Sequence, residues 1–251
     1  MRIRIRFAKR GAVKFVGHLD MMRYFQKAIR RAEIDIKFSE GYSPHPIMSF
    51  ASPLGVGMES EAEYFDIEVN SALSSAASMA ALNAQMAEGI EVLSFVRLPD
   101  DAKNCMSAAE ATDYEIVFRT SHGAFPSGTA LSSKIDAFMA QDEIIGEKLV
   151  KPKNKHKKKR GNEEPQVRRF NIRLLILYFA SDGDVMKVRL SSASGNSLNT
   201  RVFLESFCRW LGYGYGQDDF RITRTEVYFS GTDANGCEVL LPLEAAGELI
   251  I

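Results

Sequence analysis

RIRIRFAKRGAVKFVGHLDMMRYFQKAIRRAEIDIKF, residues 2–38, is the stretch whose reading decides the fold. Its opening residues alternate. Ile3, Ile5 and Phe7 point to one side of an extended chain, and Arg2, Arg4 and Arg6 point to the other. Lys9-Arg10-Gly11 reads as a turn, and residues 12–16 read as a short strand. The period then lengthens. Leu19, Met22, Phe25, Ile29 and Ala32 recur at spacings of three and four, which is the apolar stripe of a helix over residues 18–32. Arg23, Lys27 and Arg30 form a basic ridge on another face of that helix, with Arg31 beside them. Like charges four apart weaken an isolated helix by roughly 0.2–0.5 kcal/mol per pair, so the ridge implies either a use for the charge or carboxylates close by. Residues 34–38 read as the next strand.

Working outward, strand patterns at 63–69 and 90–97 flank a small-residue helix at 75–88. Residues 99–109 are polar. A further set follows: strand 114–119, helix 131–140, strand 144–150, strands 171–180 and 185–191 around the hairpin signal Asp182-Gly183, helix 200–211 carrying Val202, Phe203, Phe207 and Trp210, and strand 220–229. The expected fold class is α+β: two tandem ferredoxin-like units, each β-α-β-β-α-β. The expected domains are a ferredoxin-like unit over 1–98 with a long Pro/Gly loop, a linker over 99–111, a second ferredoxin-like unit over 112–230, and a C-terminal tail over 231–251. The second unit carries a charged basic tract, 151–166, low in apolar residues and expected to be a mobile loop.

The 251 residues carry no net formal charge, but the charge is segregated. Residues 1–37 hold eleven Lys and Arg against three Asp and Glu, and residues 146–173 hold the same numbers. Residues 38–145 hold four against sixteen. Local potential governs polyanion binding more than net charge does. No apolar run reaches the roughly eighteen residues of a membrane span, and the N-terminus lacks the apolar core of a secretory signal. Cys105, Cys208 and Cys237 are too far apart for a zinc or iron–sulfur site, and their sparseness fits a reducing cytoplasm. Neither GxGxxG nor GxxxxGK[ST] occurs, and Gly55-Val56-Gly57 is only a fragment of the first. No metal and no cofactor is expected.

The candidate site residues lie between Gly17 and Gly57. His18 opens the helix beside Asp20. The loop after residue 38 holds Ser39, Gly41, Tyr42, Pro44, His45 and Pro46. Proline restricts the backbone before it, so His45 is held in an extended conformation. That suits a binding site and a tight structural turn about equally. Tyr42 is a candidate platform for base stacking. The acidic run Glu59, Glu61, Glu63, Asp66 and Glu68 could hold Mg²⁺, but pairing with the first basic block is the simpler account.

The run RIRFAKRGAVKFVGHLDMMRYFQKAIRRAEI, followed by FSEGYSPHPIMSFASPLGVGMESEAEYFDIEV, resembles the radical SAM-associated (radical SAM-linked) proteins, which share a domain of unknown function. The pieces that carry the likeness are His18-Leu19-Asp20, Arg23, Arg30-Arg31-Ala32, residues 39–46, Gly55-Val56-Gly57, and Ser60 with Glu63. The resemblance implies a separate partner chain, a cobalamin-type radical SAM protein, which would carry the cluster-binding cysteines this chain lacks. The expected function is that of an accessory subunit, RNA-binding or substrate-presenting, more an adaptor than an enzyme. Arg2, Arg4, Arg6, Arg23, Lys27, Arg30 and Arg31 would meet phosphates, and Tyr42 and His45 a base or a strand end. The alternatives are an RNA-modifying or RNA-cleaving enzyme using His18 and His45 as acid and base, and a purely structural adaptor.

Overall fold

In the computed structural model, residues 1–119, 125–150, 166–233 and 235–251 are described. In chain order the elements are β1 (Arg2–Lys9), α1 (His18–Arg31), β2 (Met48–Phe50), β3 (Glu59–Glu68), α2 (Ser75–Asn83), β4 (Ile90–Arg97) and α3 (Cys105–Ala108). They continue with β5 (Ala111–Phe118), α4 (Gly128–Met139), β6 (Ile145–Val150), β7 (Gln166–Asn171), β8 (Ile176–Asp182) and β9 (Val185–Ser191). α5 (Thr200–Leu211), β10 (Phe220–Thr232) and β11 (Glu238–Pro242) complete the set. The fold is α+β, with a large mixed sheet and five α-helices among the described residues.

The chain forms two units. The first comprises Met1–Ile116, Ser192–Asn196 and Arg221–Ile251. Its strands run in the order β4-β1-β3-β10-β5, with β2 also on β3 and β11 on β10. β1 is antiparallel to both β3 and β4, while β10 meets β3 in parallel. One face of the sheet is apolar by alternation. Ile3, Ile5 and Phe7 of β1 pack with Phe65 and Ile67 of β3, Val92 and Phe95 of β4, and Phe25 and Ile29 of α1. Four phenylalanines centre this core. The Phe7 and Phe25 ring centroids lie 4.5 Å apart, and Phe50 stacks on Phe65 at 4.8 Å. Truncating such a buried phenylalanine to alanine removes about 3–5 kcal/mol.

The second unit comprises Val117–Ser191 and Ser197–Phe220. It contains the β8–β9 hairpin, closed by Gly183 in the left-handed region, and the antiparallel pair β6–β7. Phe138 of α4, Phe179 of β8 and Phe207 of α5 pack together, with ring centroids 5.0–6.3 Å apart. Gly146 lets β6 lie close to α5: a Cβ there would stand 2.6 Å from Ile172 and 2.9 Å from Val202.

Several expectations are corrected. Residues 12–16 are not a strand, because Gly11–Phe15 forms a 3-10 turn. Residues 34–38 make only two isolated bridges, Ile36 to Val69 and Phe38 to Pro46. The chain leaving α1 stays tied to the helix end, where the Ile34 N–H donates to the Ile29 carbonyl at 3.2 Å. Leu19 is not a core residue but 67% exposed. The buried positions of α1 are Met21, Phe25, Ala28 and Ile29, and Leu19, two residues before Met21, is turned about 200° away from that stripe.

Residues 99–109 are not a free linker, since α3 buries Cys105 completely and Arg2 donates to the carbonyls of Pro99 and Asp100. β10 from Arg221 onward, and residues 231–251 expected as a tail, belong to the first unit. There Leu243 is fully buried, and the Ile250 N–H donates to Ser75 Oγ at 2.9 Å. The apolar run 171–180 is broken by a 3-10 turn at Arg173–Leu175. The basic tract at 151–165 lies outside the described residues.

Candidate nucleic-acid interface

The acidic run of β3 takes up four of the eleven cations of the first basic block. Glu59 pairs with Lys14, Glu61 with Arg10, Asp66 with Arg4, and Glu68 with Lys37. Glu63 takes its cation from outside that block, Arg224 of β10, at 2.8 Å. Antiparallel register explains one of these pairs: β1 lies directly against β3 with Arg4 opposite Asp66, whereas Arg10, Lys14 and Lys37 reach β3 from outside β1. Among the described residues no group of three His, Cys, Asp or Glu side chains is placed to hold a metal ion. No helix among them is long and apolar enough to cross a membrane.

The arginines of β1 are therefore engaged within the fold. Arg4 is 1% exposed. Its guanidinium grips both oxygens of Asp66 at 2.8 and 3.0 Å and also donates to the carbonyls of Leu243 and Lys103. Arg6 donates to Glu244 at 2.7 Å and pairs with Glu226 at 3.1 Å, over the Tyr64 ring. Burial pushes the Glu226 carboxyl above its ordinary value, although the Tyr64 hydroxyl and the Val227 N–H donate to it. Arg2 is held by backbone carbonyls. Alternation placed these three side chains on one face correctly; there Arg4 is sealed from solvent, while Arg2 and Arg6 stay partly exposed and are held by the Pro99 and Asp100 carbonyls and by Glu226 and Glu244.

The helix cations have the opposite fate. Arg23, Lys27, Arg30 and Arg31 all lie exposed on α1. Arg23 makes a single contact with Asp20 at 3.5 Å, and Arg31 donates to the side chain and carbonyl of Gln85. Lys27 and Arg30 have no carboxylate partner among the described residues. The outer face of α1 is thus where the surplus positive charge of the first block reaches water.

The loop 39–46 closes on itself. The Ser39 N–H donates to the His45 carbonyl at 2.9 Å, and the His45 N–H donates to Ser39 Oγ at 3.1 Å. Ser39 Oγ also lies 2.8 Å from His45 Nδ1, while the Ser43 carbonyl lies 3.3 Å from it. The ring is oriented, with Nε2 left unpartnered among the described residues. Gly41 takes φ +110°, a conformation L side chains rarely adopt, and so turns the chain at the tip. Tyr42 next to it is fully exposed. His18 is half-buried at the start of α1, its ring edge-on to Phe50 with centroids 5.4 Å apart. Each histidine has its own partners, and no contact among the described residues joins them.

The profile of a family described as uncharacterized proteins conserved in bacteria (DUF2344) matches residues 2–200. The chain belongs to the DUF2344 family. A search of the curated proteins finds no match. The DUF2344 span contains β1, α1, the 39–46 loop and β3, and it ends at Thr200, the first residue of α5. Arg224 lies beyond it.

Arg224 belongs to a buried cluster missed in the sequence. It is 3% exposed, and its Nη1 donates to Glu63 at 2.8 Å and to the Ser52 carbonyl at 3.0 Å. Burial works against its charge, but Glu63 and Tyr114 more than offset this and hold its pKa above the ordinary value. Lys9, at 4% exposure, donates to the Val16 carbonyl at 2.8 Å, and burial lowers its pKa despite Glu63. Lys9 and Arg224 flank Ser60 in register on either side of β3. Glu63, a residue of the motif set, therefore has a structural partner. The only signal that could have found it was a charged residue within the alternating pattern of a distant strand.

Proposed function

We propose that this chain is a non-enzymatic accessory subunit that binds RNA through the outer face of α1 and presents it to a separate radical SAM enzyme. One observation carries the RNA part. Of the cations in the first basic block, those on β1 are taken up by carboxylates and carbonyls, and those on α1 stand in solvent with almost none. Tyr42, fully exposed beside the oriented His45, supplies the sequence-tolerant stacking surface such an interface uses. The partner is the one implied by the likeness to radical SAM-associated proteins, and a cytoplasmic location goes with it. The antiparallel order β4-β1-β3, with β2 also on β3, supports a ferredoxin-like reading of residues 2–97.

Fluorescence anisotropy with a single-stranded RNA across a salt series tests the reading. The native chain binds with salt-dependent affinity. Replacing Arg23, Lys27 and Arg30 together with Gln flattens the log–log salt slope by about 2, at about 0.7 per lost contact on single strands. Binding that ignores salt, or ignores the triple replacement, sinks it. The orientation of His45 by Ser39 favours a second reading, an RNA-modifying or RNA-cleaving enzyme. Incubating His45→Ala and the native chain with cellular RNA separates the two: identical products exclude the enzyme.

A further inference from the structure

The second unit has a cleft of its own, about 480 Å³, between the β6–β7 pair and α5. This lies within the range of about 300–1,000 Å³ usual for small-ligand sites. Its walls carry three kinds of group. Lys148, Arg201 and Arg209 are cations; Glu147 and Glu205 are carboxylates; Leu149, Val167 and Val202 are apolar.

The carboxylates position the guanidinium groups and leave most of their donors unused. Arg201 bonds Glu205 through Nε alone, at 2.7 Å, so both terminal nitrogens remain available. Arg209 uses one Nη2 donor on Glu147, at 3.1 Å, and Arg169 uses Nε on the same carboxylate at 3.0 Å. Lys148 has no carboxylate partner among the described residues. It stands opposite Arg168 in the β6–β7 ladder, a rung turned to the other face from Leu149 and Val167. The Asn199 side chain caps α5 by accepting from the Arg201 N–H at 2.7 Å, which fixes the first turn of the helix at the cleft.

The apolar wall is equally unpartnered. Leu149 and Val167 face each other across the ladder at 68% and 55% exposure. No described residue covers them. A ligand matching all three groups has a phosphate for the cations, hydroxyls that donate to carboxylate oxygens, and a flat or apolar body for Leu149 and Val167.

We propose that this cleft is a ribonucleotide site. The phosphate meets the free guanidinium donors of Arg201 and Arg209, the ribose hydroxyls donate to Glu205, and the base lies on Leu149 and Val167. The site is separate from the α1 face and stands whether or not that face binds RNA.

Isothermal titration of the full chain with AMP, adenosine and inorganic phosphate tests it. AMP binds at least about tenfold more tightly than either fragment, a difference of about 1.4 kcal/mol. The Arg201→Gln/Arg209→Gln variant loses at least about tenfold in AMP affinity, while the Arg23→Gln/Lys27→Gln/Arg30→Gln variant keeps it. In the native chain, photo-crosslinked 8-azido-AMP labels peptides from residues 145–150, 166–171 or 199–209, which secures the test if a variant misfolds. Four results overturn the proposal: no AMP binding at about 1 mM, phosphate binding as tightly as AMP, label elsewhere, or AMP affinity lost in the α1 variant alone. A 5′-phosphorylated oligonucleotide that outcompetes AMP identifies the nucleotide as the end of a strand; one that does not identifies it as free.

Discussion

β1 and α1 adjoin in the chain and both are rich in arginine, yet their charges have opposite environments. Arg4 is sealed between sheet and covering layer, with Asp66 and two carbonyls around its guanidinium. Arg30, on the exposed side of α1, meets solvent. Both lie opposite an apolar stripe, so amphipathic pattern alone cannot separate them. The difference comes from what lands on each polar face. On β1 it is a layer drawn from far along the chain. On α1, among the described residues, it is Gln85 against Arg31, with no carboxylate against Lys27 or Arg30.

The largest expected effect breaks the buried side of that contrast. Asp66→Ala leaves the Arg4 charge uncompensated and removes the acceptor of the Cys105 N–H. The expected loss is about 3–5 kcal/mol in urea unfolding. Replacing Arg4 by Met in the same chain recovers part of it, because no charge is then stranded. An Asp66→Ala chain as stable as the native one would show that Arg4 is not sealed at all.

A middle-sized effect sharpens the exposed side. Arg23→Gln/Lys27→Gln/Arg30→Gln leaves unfolding free energy within about 0.5 kcal/mol of native, as surface changes do. It removes like-charge neighbours from α1, so any change is a slight gain. A loss of several kcal/mol would mean that these side chains are structural after all.

The smallest effect concerns an exposed carboxylate. Hydrogen bonds from Asn70 and Ser71 hold the Asp35 pKa below 3.8. A lowered carboxylate pKa stabilises the fold above the unfolded value and loses that contribution as pH falls through the folded one. Asn70→Ala moves Asp35 back toward 3.8 in an NMR titration, with almost no change in stability at pH 7 because solvent screens the site.

What was legible in the sequence was local. The alternation of β1, the helix α5 ending at Gly212, and the Asp182-Gly183 hairpin each follow from neighbouring residues, and each is present. The pairing of the β3 carboxylates with the first basic block was also readable, because adjacent strands bring near segments together. The non-local part was hidden. Nothing near Arg4 announces Leu243, and nothing near Glu63 announces Arg224. Leu19 misled because it fits a spacing of three with Met22, while the helix is rotated to bury Met21. Of the candidate site, α1 and Tyr42 were readable as surface; the cover over β1 was not.

The first unit is assembled from both ends of the chain, with the second unit intervening. A ribosome making this protein releases β1 and β3 long before β10 exists to lie beside β3. Until then Arg4 waits for an acceptor 239 positions downstream. Vectorial synthesis thus leaves the nascent first unit without β10 and Leu243 until the inserted unit has been made. Such long-range closure is slow, and truncating the message before residue 220 would release a polypeptide that chaperones and proteases recognise as incomplete.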